Sequence, residues 1–184
     1  MAEQKLASLH ETLGDKAWLQ FWQDNNIPWD TGVAAPPLMQ LVVTTDLVPK
    51  AGIFLIPGCG SCHEGFALLA DSPQRKIIGL DMSPIAMERN REKRQKLGLS
   101  PAQIEFYAAD FFDEKSSEME GLNGGGFDVV FDYTFLCALR PARRQDWAQR
   151  MAQLIKPGTG LLITLMFPLS KHEGGPPFAL SEEM

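Results

Sequence analysis

The segment Ile53-Phe54-Leu55-Ile56-Pro57-Gly58-Cys59-Gly60 constrains this chain more than any other. A helix-length gap separates it from a second run, Ile77-Ile78-Gly79-Leu80-Asp81. The first apolar run ends in a glycine-rich turn and the second in a lone acid. That is the layout of a nucleotide site at the carboxyl ends of two parallel strands. Gly58 and Gly60 let a backbone approach a ligand where a side chain would collide. Asp81 stands where a carboxylate accepts hydrogen bonds from both hydroxyls of a ribose. This layout alone fits either a dinucleotide or S-adenosylmethionine.

The rest of the chain alternates between strand and helix signals. The first strand is predicted over 53–56, a crossover helix from Glu64 to about Ala70, and a second strand over 76–80. Ser83-Pro84 supplies a cap and an N1 proline for a helix to about Leu97, closed by Gly98. A third strand follows over 103–108. The polar, acidic stretch 113–126, with Gly124-Gly125-Gly126, reads as a flexible loop. A fourth strand is expected over 127–131, a helix from Pro141 to Ile155 with Trp147, Met151, Leu154 and Ile155 on its buried face, and a fifth strand over 161–167. Before the first strand, Asp15 is read as the N-cap of a helix to about Asp24 that puts Trp18 and Trp22 on one face. A further helix is expected around 38–47. The alternation argues for a doubly wound α/β fold, a Rossmann-like parallel sheet with helices on both faces.

The chain has 184 residues, most simply one domain over 1–184 with 1–48 as a helical lid. A net charge of -6 disfavours nucleic acid or an anionic membrane as partner. No apolar run has the length of a membrane span, and residues 1–10 lack a signal peptide's apolar stretch. The cysteines are Cys59, Cys62 and Cys137, an odd and low number that points to a reducing compartment, the cytoplasm.

Several segments together carry a resemblance: Trp18-Leu19-Gln20-Phe21-Trp22, Pro28-Trp29-Asp30-Thr31-Gly32, Pro57-Gly58-Cys59-Gly60, Gly79-Leu80-Asp81-Met82-Ser83, Phe127-Asp128-Val129-Val130-Phe131-Asp132-Tyr133, Lys156-Pro157-Gly158 and Gly174-Gly175-Pro176-Pro177. They span nearly the whole chain. With them the chain resembles class I S-adenosylmethionine-dependent methyltransferases of the thiopurine methyltransferase superfamily, and among these the plant and fungal halide/thiol methyltransferases. The resemblance implies S-adenosylmethionine as cofactor and no metal. It implies that Trp18, Trp22 and Trp29 cover the methionine end, that Gly58 and Gly60 pass beneath the cofactor, and that Asp81 holds the ribose. Asp110 and Phe111 would meet the adenine. Tyr133 would lie near the sulfonium and the acceptor as the catalytic residue. A sulfonium is a cation, so aromatic faces and carboxylates suit it. The acceptor would be a small nucleophile such as halide, bisulfide, thiocyanate or a small thiol. The sequence shows no acid–base dyad, and such nucleophiles require no strong base.

Each of these residues also has a structural reading. Asp81 can cap the helix at Ser83, Asp110 can be a loop acid, and Tyr133 can be a packed strand residue. His172 is expected in a solvent-facing loop, and Arg143 and Arg144 on a solvated helix face. The chain departs from the family in two places. Cys62 stands where a third glycine is usual, so that Cys59-Gly60-Ser61-Cys62 forms a C-x-x-C, the spacing of thiol–disulfide enzymes. Oxidation of that pair is expected to disturb the cofactor loop. The family's further helix and closing antiparallel strand pair are missing after Phe178, which would leave a sheet edge open to self-association. The alternatives are a thiopurine-type S-methyltransferase, a non-catalytic S-adenosylmethionine binder and a thiol–disulfide enzyme using Cys59 and Cys62.

Overall fold

A computed structural model describes residues 2–122, 124 and 126–181, residues 2–7 by their backbone. The apolar runs form the middle of a five-stranded sheet. Its strands are β1 (Gly52–Pro57), β2 (Arg75–Asp81), β3 (Ile104–Ala108), β4 (Val129–Tyr133) and β5 (Leu161–Leu165). The order is β3-β2-β1-β4-β5, and every pairing is parallel. The helices are α1 (Ala2–Leu13), α2 (Lys16–Gln23), α3 (Pro36–Thr44), α4 (His63–Asp71), α5 (Pro84–Lys96), α6 (Ser117–Glu120) and α7 (Arg144–Leu154).

Strand alternation splits the core in two. Phe54 and Ile56 of β1, Ile77 of β2 and Val129 and Phe131 of β4 point to one face, where Leu38, Val42, Phe66, Leu69, Ala86 and Met87 of α3, α4 and α5 cover them. Leu55, Ile78, Leu80 and Val130 point to the other, under Met119, Met151 and Leu154 of α6 and α7. Strands buried on both faces are apolar at every position, which is why β1 and β2 read as unbroken runs. The expected doubly wound α/β sheet is the fold observed.

Helix α5 begins as its sequence dictates: Ser83 Oγ accepts from Ala86 N at 3.2 Å and Pro84 occupies the first turn. Four expectations need correction. Asp15 precedes α2 but makes no capping hydrogen bond and is itself helical (φ -62, ψ -20), because its carboxylate turns to His10 instead. The polar stretch after Asp113 holds α6, whose Met119 is buried, as is Leu122 just beyond it; these are among the few apolar side chains there, and the second core claims both. Strand β4 runs two residues further on than expected, with Phe127 in an isolated bridge to Ile155. A 3₁₀ turn, Pro141–Arg143, precedes α7.

Candidate functional site

The chain leaves β1 on one side of the sheet, builds β2 and β3, then crosses back to form β4 on the other side of β1. The carboxyl ends of β1 and β4 therefore diverge at a topological switch point, where α/β sheets leave a crevice. A cavity of about 240 Å³ lies there, lined by the turns after β1, β2, β3 and β4 and by α2 with the loop that follows it. Trp18, Trp22, Trp29, Gly58, Gly60, Asp81, Asp110, Phe111 and Tyr133 all line it.

The turn after β1 forms the floor. Gly58 has φ +58, and a Cβ there would fall 2.3 Å from Phe135 Cδ2. The close approach that demands glycine is thus made by a side chain from beyond β4. Cys59 N donates to Leu80 O at 3.0 Å, which ties the turn to β2. Gly60 N donates to Asp81 Oδ2 at 2.9 Å, and Ser83 N to Asp81 Oδ1 at 2.9 Å. Asp81 therefore fixes the turn and the start of α5 while its carboxylate faces the cavity. Burial pushes its carboxyl up, against the pull of these backbone donors.

Cys62 is fully buried and left-handed at φ +49. A glycine would take this conformation without strain. A Cβ on Gly65 would meet the Cys62 sulfur at 2.5 Å, and one on Gly79 would meet the Cys59 sulfur at 3.0 Å. Cys59 is half-buried and lines the cavity, Cys62 is buried, and both are free. Burial, together with Cys62 and nearby Asp81 and Glu64, pushes the Cys59 thiol well up. A thiol–disulfide enzyme needs the opposite, a depressed thiol that attacks as thiolate.

The wall opposite the sheet is aromatic. Trp18 and Trp29 meet edge to face with centroids 5.0 Å apart, and Phe21 packs on Trp29 at 5.5 Å. Trp22 is buried beneath, 3.5 Å from where a Cβ on Gly60 would be. Sequence reasoning gave Asp30 no role, yet it fastens this wall to the floor. His63 Nε2 lies 2.8 Å from its Oδ1, Gly32 N donates to that oxygen at 2.8 Å, and the Ser61 hydroxyl donates to its Oδ2. Burial pulls the Asp30 carboxyl up, but the hydrogen bonds from Ser61, Gly32 and His63 outweigh it and hold it below the usual range. Glu64 adds a second tie, accepting from Ala35 N at 3.1 Å. The signal was present in Trp29-Asp30-Thr31-Gly32, where an acid two residues before a glycine makes a local turn; its partners are about thirty residues away in sequence.

Beyond β3, Phe111 is buried in edge contacts with Phe112 and Phe135, both at 5.1 Å. Asp110 turns the chain by accepting from Phe112 N at 2.9 Å. Beyond β4, burial and the charge of Glu64 push the Tyr133 phenol up, so it stays a neutral donor. Its neighbour Asp132, also unassigned from sequence, is buried and accepts from Leu136 N at 3.1 Å and Trp147 Nε1 at 2.8 Å. It thereby shapes the loop that carries Phe135 and Cys137. Burial raises its carboxyl to about 6 and the Cys137 thiol to about 12. His172 is exposed, as expected. Arg143 stacks 3.9 Å over Phe112 and pairs with Asp146, and Arg144 donates to Ala179 O, so neither lies on a merely solvated face.

The charge of the cavity bears on what the sequence left open. Its described lining includes the acids Asp15, Asp30, Glu64, Asp81 and Asp110, with His63, and neither lysine nor arginine. A pyrophosphate would have to rest there on backbone N–H groups alone. A sulfonium brings a positive charge to carboxylates and indole faces. The donors present thus fit S-adenosylmethionine. Among the described residues no cluster is placed to hold a metal ion, and no helix is long and apolar enough to cross a membrane.

Comparison with known proteins agrees. Residues 13–184 match the family model described as Thiopurine S-methyltransferase. The chain is 42% identical over 164 residues to a probable thiol methyltransferase 2 of Arabidopsis thaliana, covering 89% of this chain and 67% of the relative. It is 39% identical over 175 residues to thiocyanate methyltransferase 1 of Brassica oleracea, covering 94% and 71%. A solved structure described by the conversion of a disulfide bond into a thioacetal group during echinomycin biosynthesis superposes with a TM-score of 0.59 at 27% identity, over 71% of this chain and 50% of that one. The chain thus spans about half the length of that structure.

Proposed function

The chain belongs to the thiopurine S-methyltransferase family, and we propose that it transfers a methyl group to a small sulfur or halide nucleophile. The observation that carries this reading is the acid-lined, aromatic cavity at the switch point, which fits a sulfonium. S-adenosylmethionine, when bound, supplies a methyl group on a positively charged sulfur. Trp18, Trp22 and Trp29 would cover the methionine end, Gly58 and Gly60 would pass beneath, Asp81 would receive the ribose hydroxyls, and Asp110 and Phe111 would meet the adenine. Residues 1–48 act in this reading as a lid within a single domain of 1–184, held by the ties of Asp30 and Glu64.

Tyr133 stands where β4 delivers it to the cavity, and as a neutral phenol it orients the acceptor by donating a hydrogen bond. No protein thiolate competes for the methyl group, because burial keeps Cys59 and Cys137 protonated. The remaining contribution is orientation and exclusion of water. The names of the two plant relatives support thiols and thiocyanate as acceptors. Three free cysteines support a reducing, cytoplasmic setting.

The test is incubation with methyl-labelled S-adenosylmethionine and iodide, bisulfide, thiocyanate or a thiopurine in parallel, with volatile methyl products trapped. Volatile products from the small acceptors are expected. Tyr133→Phe should lower their formation more than it lowers cofactor affinity. Efficient methylation of thiopurines with none of the small acceptors would overturn the acceptor assignment.

A further inference from the structure

Asp15 and His10 form a pair that the mechanism above does not use. Asp15 lines the cavity, at the join between α1 and α2. Its Oδ1 lies 3.5 Å from His10 Nε2. The His10 side chain is only 2% exposed, with its ring edge-on to Trp18 at 6.1 Å and Phe178 at 5.9 Å. Its Nε2 faces Asp15 Oδ1 at the long end of hydrogen-bonding distance. His10 O receives Arg140 Nη2 at 2.9 Å, which ties the pair to the segment after β4. The groups facing Asp15 are His10 from α1 and Arg140 and Arg143 from that segment. The pair therefore sits beside the segment after β4 and beside Phe178, close to Leu139, Pro176 and Pro177 of the cavity lining.

We propose that Asp15, positioned by His10, takes the proton from a neutral thiol acceptor and so sets the choice between neutral thiols and ready-made anions. The inference rests on the methyl-transfer reading above. Halide and thiocyanate bring no proton. A neutral thiol must lose one, and it becomes strongly acidic only as its sulfur is alkylated. A sulfur lone pair forms the new bond to the methyl carbon. The bond from that carbon to the sulfonium breaks, its electron pair staying on the cofactor's sulfur. The thiol's S–H bond breaks, and its proton moves to Asp15 Oδ2, the oxygen not facing His10. A carboxylate of low basicity suffices, because the proton leaves an alkylated sulfur. The hydrogen bond and charge of His10, with Arg143 and Arg140 adding to it, hold the Asp15 carboxyl below its usual range against some burial. With its side chain 46% exposed, it then returns the proton to water. The same negative charge repels an anionic acceptor.

The test compares the 184-residue chain with its Asp15→Asn variant, using a small alkyl thiol and thiocyanate as acceptors across neutral pH. The ratio of thiol to thiocyanate turnover should fall by about tenfold to a hundredfold, up to the low end of general-base effects. The variant's remaining thiol turnover should follow the thiolate fraction, whereas the unaltered chain's should rise less steeply with pH. Asp15→Glu should restore the ratio, and His10→Gln should lower it partly. A second readout needs no turnover: at constant ionic strength, iodide should quench the tryptophan fluorescence of the cofactor-free Asp15→Asn chain more steeply. An unchanged ratio with unchanged quenching overturns the proposal. An unaltered chain that methylates thiocyanate but no neutral thiol overturns it while leaving the methyl-transfer reading standing. A chain that methylates nothing overturns both.

Discussion

His63 Nε2 stands 2.8 Å from Asp30 Oδ1, joining the loop that carries Trp29 to the first residue of α4. Around this contact the Ser61 hydroxyl and Gly32 N add their own hydrogen bonds to the same carboxylate. The aromatic wall is thereby fixed to the glycine turn rather than resting on it. Asp30→Ala should lower affinity for S-adenosylhomocysteine by about 1–3 kcal/mol, the scale of unmade charge-assisted bonds. Amides over 18–32 should exchange faster. Because the Asp30 carboxyl is held low, its contribution to stability is present above about pH 4 and lost as pH falls below that. The stability gap between the two chains should therefore close in acid. Equal exchange in both chains would show that the wall needs no such tie.

Asp81 holds Gly60 N and Ser83 N with its two oxygens, and each oxygen keeps a lone pair for a ligand hydroxyl. Asp81→Ala should weaken cofactor binding by about 1–3 kcal/mol. Isothermal calorimetry measures this directly. Unchanged affinity would remove Asp81 from the ligand site and leave it as an anchor of the turn and of α5.

The elements read correctly from sequence are those whose signals are local. Strands β1 and β2 are apolar runs ending in a glycine or an acid, and α5 opens with Ser83-Pro84. The residues expected around the ligand proved to line one cavity because each lies at the carboxyl end of a strand, or on the helix and loop before the sheet. What stayed hidden depends on distant partners. Asp15 is the exception: it has the chemistry of an N-cap, and the turn between α1 and α2 brings it against His10, only five residues before it. Asp30 looked like a turn residue until its loop met Ser61 and His63. Asp132 lay inside a quoted motif without a role, because its partner Trp147 arrives on another helix. In α6 only scattered apolar residues, such as Met119, showed in a polar stretch.

Asp132 makes stability depend on pH with a definite sign. Burial raises its carboxyl to about 6 in the folded chain, whereas the unfolded chain titrates near 4. The folded state thus holds the extra proton between these values, and stability falls as pH rises from about 4 to about 6, by roughly 3 kcal/mol at most. Asp132→Asn should flatten the change in melting temperature across that window. It should also loosen the segment from Phe135 to Leu139, since an amide offers one acceptor oxygen to Leu136 N and Trp147 Nε1. An unaltered slope in the variant would mean that Asp132 is ionised throughout.

Cys62→Gly separates backbone strain from redox chemistry at the cofactor loop. Glycine would relieve the left-handed conformation at φ +49, worth about 1–2 kcal/mol. It would also forfeit the contacts of a buried sulfur, a loss on the order of 1 kcal/mol. The two effects oppose each other, so thermal unfolding should move by only a few degrees, and cofactor binding should survive. The sequence spacing alone led to the expectation that oxidation of Cys59 and Cys62 would inhibit. In the structure burial pushes the Cys59 thiol well up, with the Cys62 thiol as its hydrogen-bond partner, and Cys62 is fully buried, which disfavours the thiolate that exchange needs. Mild oxidant should therefore leave both the unaltered chain and the variant able to bind S-adenosylhomocysteine. Intact mass measured after that treatment checks the cause: a loss of two hydrogens that appears in the unaltered chain and not in Cys62→Gly, together with lost binding, would show that the loop opens far enough for the two sulfurs to bridge.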